Sequence, residues 1–255
     1  MNNRPVRTRL KAAGIHLLGS GVVAAVAATL VFWVWYPSPF ADMAGGTSLF
    51  MLLVSVDVIL GPALTAVVVS PGKRRGELVR DLGVIVIIQL AAFAYGLHAM
   101  AMARPVVLVF EVDRLRLVTA ADIDPATLHE APTAFQPLSW TGPRMVAAIK
   151  SSDPGEQMRS IELDLAGIGL AMQPRQWRDY RAYAEAAWTR ARPATQLLAK
   201  CPHQASSLEA IARAAGRSPE ALRFLPLISR KVSWVSVIAE PGAKVVGYLP
   251  VEGFF

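Results

Sequence analysis

The sequence predicts a membrane α-helical protein, three transmembrane helices followed by an exported α+β domain, and three observations lead there. The chain of 255 residues is 53% hydrophobic, above the roughly 45–50% of soluble domains. Three windows are almost bare of charge: Ala12 to Tyr36 and Leu82 to Ala103 contain no Asp, Glu, Lys or Arg, and Ala44 to Pro71 contains Asp57 alone. From Arg104 onward the pattern changes abruptly to short β-branched runs, turns and polar helical segments. Each window supplies the roughly 20 apolar residues that cross about 30 Å of hydrocarbon at about 1.5 Å per residue. The expected organisation is a membrane domain over residues 1–103, with spans at about 12–36, 47–70 and 82–103, and an α+β domain over residues 104–255.

The first window has some features of a cleaved secretory signal, with Arg4, Arg7, Arg9 and Lys11 before it and small residues at Ala41 and Ala44. Its apolar stretch is too long for that, and Phe32, Trp33, Trp35 and Tyr36 form the aromatic belt of a retained helix. Four Lys or Arg precede the first span, none lies between Pro37 and Thr47, and Lys73, Arg74, Arg75 and Arg80 separate the second span from the third. The positive-inside rule therefore places the N-terminus and the Lys73 to Arg80 loop in the cytoplasm, and everything after Ala103 outside. The exported part holds 18 Lys and Arg against 15 Asp and Glu, so the net charge of +7 reports topology and indicates no nucleic-acid footprint. Cys201 is the single cysteine. It excludes an intrachain disulfide and reads as a part-buried thiol, with an intermolecular bridge as the alternative.

In the exported part, Pro105 to Glu111 reads as a strand, Val112 to Arg114 as its turn and Leu115 to Val118 as the return strand. Asp124-Pro125 opens a short helix toward Glu130. A Pro-rich connector from Ala131 to Pro143 leads to a strand at Arg144 to Ile149. Ser152-Asp153-Pro154 starts a segment to Leu170 with helical apolar spacing at Ile161, Leu165 and Ile168. Trp177 to Arg192 reads as the clearest soluble helix, rich in Ala, Arg and Glu, and Ser206 to Ala215 as another, ended at Gly216. Val232 to Ala239 and Lys244 to Leu249 are expected to form a closing hairpin.

Motifs for chemistry are missing. Neither G-x-x-x-x-G-K nor G-x-G-x-x-G occurs, nor a G-x-S-x-G elbow, H-E-x-x-H or C-x-x-C. His16, His98, His129 and His203 are scattered and read as surface or helix-packing residues. The charged run from Arg175 through Arg178, Arg181, Glu185 and Arg190 to Arg192 reads as a solvated helix face. The expectation is a protein without catalytic, cofactor or metal residues; a membrane-anchored periplasmic enzyme or a ligand-binding sensor is the alternative.

Asp57 is the outlier. A carboxylate near the centre of a span costs about 2.5–3.5 kcal/mol on insertion scales, whereas each Leu, Ile, Phe or Val returns about 0.3–0.6 kcal/mol. It is expected to face other helices, protonated or hydrogen-bonded. Gly61, one turn on, lets a neighbouring backbone approach, and Pro62 removes the N–H that would bond Val58 and bends the span. At about 1.5 Å per residue, Asp57 lies roughly 15 Å and Tyr95 roughly 12 Å from the outer boundary, with Gln89 deeper. Tyr95 is therefore the expected partner, and Gln89 the next. This polar, bent spot either holds the three helices together or receives a helix of a client protein.

The chain resembles the TfpX/TfpZ type IV pilin accessory proteins of Gram-negative bacteria. The resemblance runs through Lys11-Ala-Ala-Gly-Ile-His-Leu-Leu18, Trp35-Tyr36-Pro37, Asp57-Val-Ile-Leu-Gly-Pro-Ala-Leu-Thr65, Pro71-Gly-Lys73, Gln89-Leu-Ala-Ala-Phe-Ala-Tyr-Gly-Leu97 and Arg104-Pro-Val-Val-Leu-Val-Phe-Glu-Val-Asp-Arg114. It continues loosely through Ser139-Trp-Thr-Gly-Pro143 and Gly247-Tyr-Leu249, so it is specific over about the first 125 residues and one of layout beyond. It implies a multi-pass inner-membrane protein with a periplasmic C-terminal domain that acts as a chaperone-like accessory to its cognate type IV major pilin in pilus assembly. Other pilus assembly proteins are implied as further partners. The family brings neither catalytic residues nor assigned pilin-binding residues.

Overall fold

The computed structural model describes residues 4–70, 72–230 and 233–255. Pro71, and Val232 where the last hairpin is expected to begin, lie outside the described residues. Among those described, three helices are long and apolar enough to cross a membrane: Val6–Trp35, Gly46–Val68 and Arg75–Ala103. The third begins well before its charge-free window, because Glu77 and Arg80 favour the helical state and sit at its exposed end. There Lys73 Nζ meets Asp81 Oδ2 at 2.9 Å. The first helix ends in a π-helical turn, Leu30–Trp35, after which the Tyr36 N–H donates to the Val31 carbonyl at 2.7 Å.

The third helix runs into the sheet across one residue, Arg104, whose extended backbone hands the chain to β1 (Pro105–Glu111). β2 is Arg114–Thr119, β3 Arg144–Ala148, β4 Trp177–Asp179, β5 Arg192–Pro193, β6 Arg223–Ile228, β7 Trp234–Ala239 and β8 Lys244–Leu249. They form one mixed sheet in the order β4-β3-β1-β2-β6-β7-β8, with β5 paired to β6. β1 with β3 and β2 with β6 are parallel, and the other pairs are antiparallel. The result is three apolar helices followed by an α+β unit.

The two parts share a core. Tyr36, Met43, Phe50, Leu53 and Met100 from the helical part belong to the same buried cluster as Leu108, Phe110, Leu225 and Ile238 of the sheet. Tyr36 is fully buried, and its hydroxyl donates to the Met100 carbonyl at 2.7 Å. Gly46 gives it room, since a Cβ there would overlap the Tyr36 ring. Phe40 packs edge-on against Tyr248 of β8 with ring centroids 5.4 Å apart, inside the roughly 4.5–7 Å range of such pairs. The connector between the first two long helices is thus wedged under the sheet.

Three elements differ from the sequence expectation. Trp177 to Arg192 is not one helix: Trp177–Asp179 is β4, a 3₁₀ turn covers Tyr180–Tyr183, and only Ala184–Arg190 is α-helical. Tertiary burial overrides propensity here, because Trp177 is fully buried with its indole N–H on the Ala171 carbonyl at 2.9 Å. The helix opened by Asp153 spans Pro154–Leu165 and stops at Gly167, whose φ of 87° favours glycine. Ile161 and Leu165 on it are exposed, so their spacing does not mark a core face. β6 has no counterpart in the sequence reading, because its Pro226 argues against a strand and only tertiary pairing, to β2, β5 and β7, supplies one. Cys201 is a free thiol of intermediate burial.

Candidate functional site

Asp57 is 8% exposed and sits in a π-helical turn, Val56–Leu60, that interrupts the second long helix. The cause is local. Pro62 has no N–H for the Val58 carbonyl, so the i−4 ladder fails one turn before it, and the backbone widens there. Regular helix resumes at Gly61–Val68, with Pro62 in its first turn, where proline is tolerated. Gly61 and Pro62 are both buried.

The first and third long helices bring their polar residues to this turn. His16 Nδ1 lies 2.6 Å from Thr65 Oγ1, and Thr65 is 3% exposed. Gln89 directs its Nε2–H to the Asp57 backbone carbonyl at 3.5 Å, a long hydrogen bond. Its amide lies over Gly61: a Cβ there would overlap Gln89 and press on the His16 imidazole. A side chain at position 61 would therefore displace the Gln89 amide that lies over it. The last carbonyls of the second helix are held from the first by Arg9, whose Nε donates to the Val69 carbonyl at 2.8 Å.

His16, Asp57, Thr65 and Gln89 line one recess of about 550 Å³. Its walls come from the first helix at Ile15, Gly19 and Val23 and from the third at Val86, Leu90 and Phe93. Two acceptors at this place, Asp57 Oδ1 and Gln89 Oε1, are buried and have no hydrogen-bond partner among the described residues. The arrangement is an acceptor-rich spot between helices, which suits capture of a donor.

Of the residues singled out from sequence, Asp57, Gly61, Pro62 and Gln89 come together. Tyr95 does not join them; it is 76% exposed and edges a second recess, on the other side of Asp57, with Leu53, Phe93 and Gly96. Gln89 holds the place expected of Tyr95. His16 and Thr65 belong to the site although the sequence reading did not put them there. Counted from the edges of the charge-free windows, His16 lies four residues after Ala12 and Thr65 six before Pro71, so the two sit at similar depths on one side, and matching those depths identifies the pair. Among the described residues, no three His, Cys, Asp or Glu side chains converge as metal ligands would.

The comparisons with known proteins follow the whole chain. The family model described as "Fimbrial assembly protein FimB" matches residues 4–45. The "Fimbrial assembly protein, serogroup I" of Dichelobacter nodosus is 33% identical over 256 residues, covering 100% of this chain and 99% of the relative. The serogroup E1 protein of the same organism is 32% identical over the same shares. The protein of serogroups C1 and C2 is 42% identical over 134 residues, 52% of this chain and all of the relative. No solved structure matches. Similarity at this level from end to end places the chain in the fimbrial assembly protein family.

Proposed function

We propose that this chain is a membrane accessory protein for fimbrial assembly, of the TfpX/TfpZ kind, that binds its cognate type IV pilin and aids its entry into the pilus. The observation that carries the reading is the end-to-end similarity to fimbrial assembly proteins. It is joined to an architecture of three apolar helices and an α+β unit. The first of these supports the role, and the second suits a client with one part in the bilayer and another outside it.

In this reading residues 1–103 lie in the inner membrane with the N-terminus in the cytoplasm, and residues 104–255 form the periplasmic unit. The protein works by binding, without catalysis or cofactor. Asp57, Gly61, Pro62 and Gln89 provide the intramembrane contact, and Tyr95 stands on the adjacent lipid-facing surface.

Photocrosslinking in cells that express the pilin tests this. Crosslinking residues placed at the exposed positions Val112, Trp140 and Leu165 are expected to trap pilin, and deletion of the gene is expected to reduce surface pili. Absence of any pilin adduct together with normal piliation rejects the reading. Reporter fusions after Arg104 are expected to report an external location.

A further inference from the structure

We propose that the recess between the first and third long helices seats one transmembrane helix of a partner, and that this helix brings a hydrogen-bond donor to the depth of Asp57. The proposal rests on the accessory reading and deepens it by stating what the site recognises.

The depth decides the class of ligand. Asp57 lies about 11 residues from either end of Gly46–Val68, which is roughly 16 Å at about 1.5 Å per residue. A carboxylate oxygen and an amide oxygen, Asp57 Oδ1 and Gln89 Oε1, are buried there without a donor. Asp57 as a whole is more than nine-tenths buried. A carboxyl oxygen and an amide oxygen both accept hydrogen bonds, and an unsatisfied polar group in hydrocarbon costs several kcal/mol. Acyl chains carry no donor, and lipid headgroups stay at the surface. A helix of another protein delivers one at mid-membrane, through Ser, Thr, Asn, Gln, His or an amine.

The walls are shaped for a backbone to come close. Gly19 lines the recess, and a Cβ built on it meets nothing within 4 Å, so its face of the first helix has no neighbour inside this chain. The first and third helices are both packed on the second and leave the space between them open, about 550 Å³ in volume. An apolar helix with a single donor completes a four-helix arrangement in which small residues allow approach and the donor fixes register.

The test uses the full chain in phosphatidylethanolamine and phosphatidylglycerol vesicles. A photocrosslinking residue stands at Leu90, in the recess, or at Ile87, exposed on the same helix outside it. The probes are two Leu/Ala helices of about 20 residues, identical except for Asn or Leu at the centre. Trapping of the Asn helix at Leu90 is expected to exceed that of the Leu helix about threefold to tenfold, the range of an intramembrane hydrogen bond. Ile87 is expected to show no preference. In the Asp57→Leu/Gln89→Leu chain the preference is expected to vanish. If that chain misfolds, the Leu90 against Ile87 comparison in the parent decides alone. Equal trapping of both helices, adducts with lipid only, or adducts between two copies of this chain overturns the proposal. Pilin adducts at the exported positions with no donor preference at Leu90 remove the seat and leave the accessory reading. A donor preference at Leu90 with no pilin adduct anywhere does the reverse.

Discussion

The side-chain amide of Gln89, on the third long helix, lies where Gly61 of the second has no side chain, and a single methyl group on Gly61 would overlap it. This is why the Gly61-Pro62 pair works as a unit: the proline opens the ladder beside Asp57, and the glycine admits the residue that reaches Asp57. Gly61→Ala is expected to destabilise the helical part by about 1 kcal/mol, the low end of overpacking, because the displaced Gln89 amide has the recess to move into. Gly61→Ala/Gln89→Ala is expected to recover most of that loss. Both are read from unfolding midpoints in mixed micelles; a Gly61→Ala protein as stable as the parent rejects the contact.

The junction between helices and sheet has its own anchor. The Arg104 guanidinium carbon lies 3.7 Å from the centre of the Trp140 ring, and Arg104 Nε donates to the Ser139 carbonyl at 3.0 Å. Its Nη1 also donates to the Ala101 carbonyl, so one side chain satisfies the end of the third helix and pins the connector. Arg104→Lys keeps the charge and loses the planar fork. A loss of about 1–3 kcal/mol is expected from a charged hydrogen bond and a cation–π contact, with faster proteolysis within residues 131–143. An unchanged cleavage rate counts against the anchor.

How much of this was legible from sequence follows from what each signal measures. Charge-free windows report apolar length, so the three long apolar helices were readable. Asp57, Gly61 and Pro62 stood out because each is costly in a span. Tyr95 was misplaced because rise along a helix gives depth and says nothing of facing. Gln89 and Tyr95 are six residues apart, about 240° around the axis at 3.6 residues per turn, so one helix does not turn both to Asp57. His16 reads from sequence as a surface or helix-packing residue, and it packs on the second helix through the hydroxyl of Thr65, a partner that composition does not name. Trp177 to Arg192 carried a strong helical composition, yet the burial of Trp177 and its pairing to β3 decided its local structure.

Alkaline pH is expected to loosen the sheet through Tyr180. Its hydroxyl donates to the Ala243 carbonyl at 2.8 Å, and burial pushes the phenol up from 10.0 to about 12. Because the folded value is the higher one, the contribution is complete below pH 10 and is lost as pH rises from there to about 12. Burial raises Tyr248 as well, which acts in the same direction. Unfolding midpoints followed from about pH 9 to 12 are expected to fall less steeply in Tyr180→Phe than in the parent. Parallel slopes for the two proteins reject the assignment.

Asp57→Leu separates the two roles open to the site. A carboxylate that holds the bundle together loses its bonds on this substitution, and the helices weaken. The Asp57 Oδ1 atom has no partner among the described residues, however. Replacing an unsatisfied buried acceptor by an apolar group of similar size relieves about 1–3 kcal/mol of desolvation. The isolated Asp57→Leu protein is therefore expected to unfold at the same or a higher midpoint than the parent, while surface pili decline in cells that carry it. Asp57→Asn keeps an acceptor at that depth and is expected to retain piliation. A lower midpoint with normal piliation assigns Asp57 to internal packing. A higher midpoint with lost piliation means that the acid is kept at the expense of stability, because what satisfies it comes from another chain.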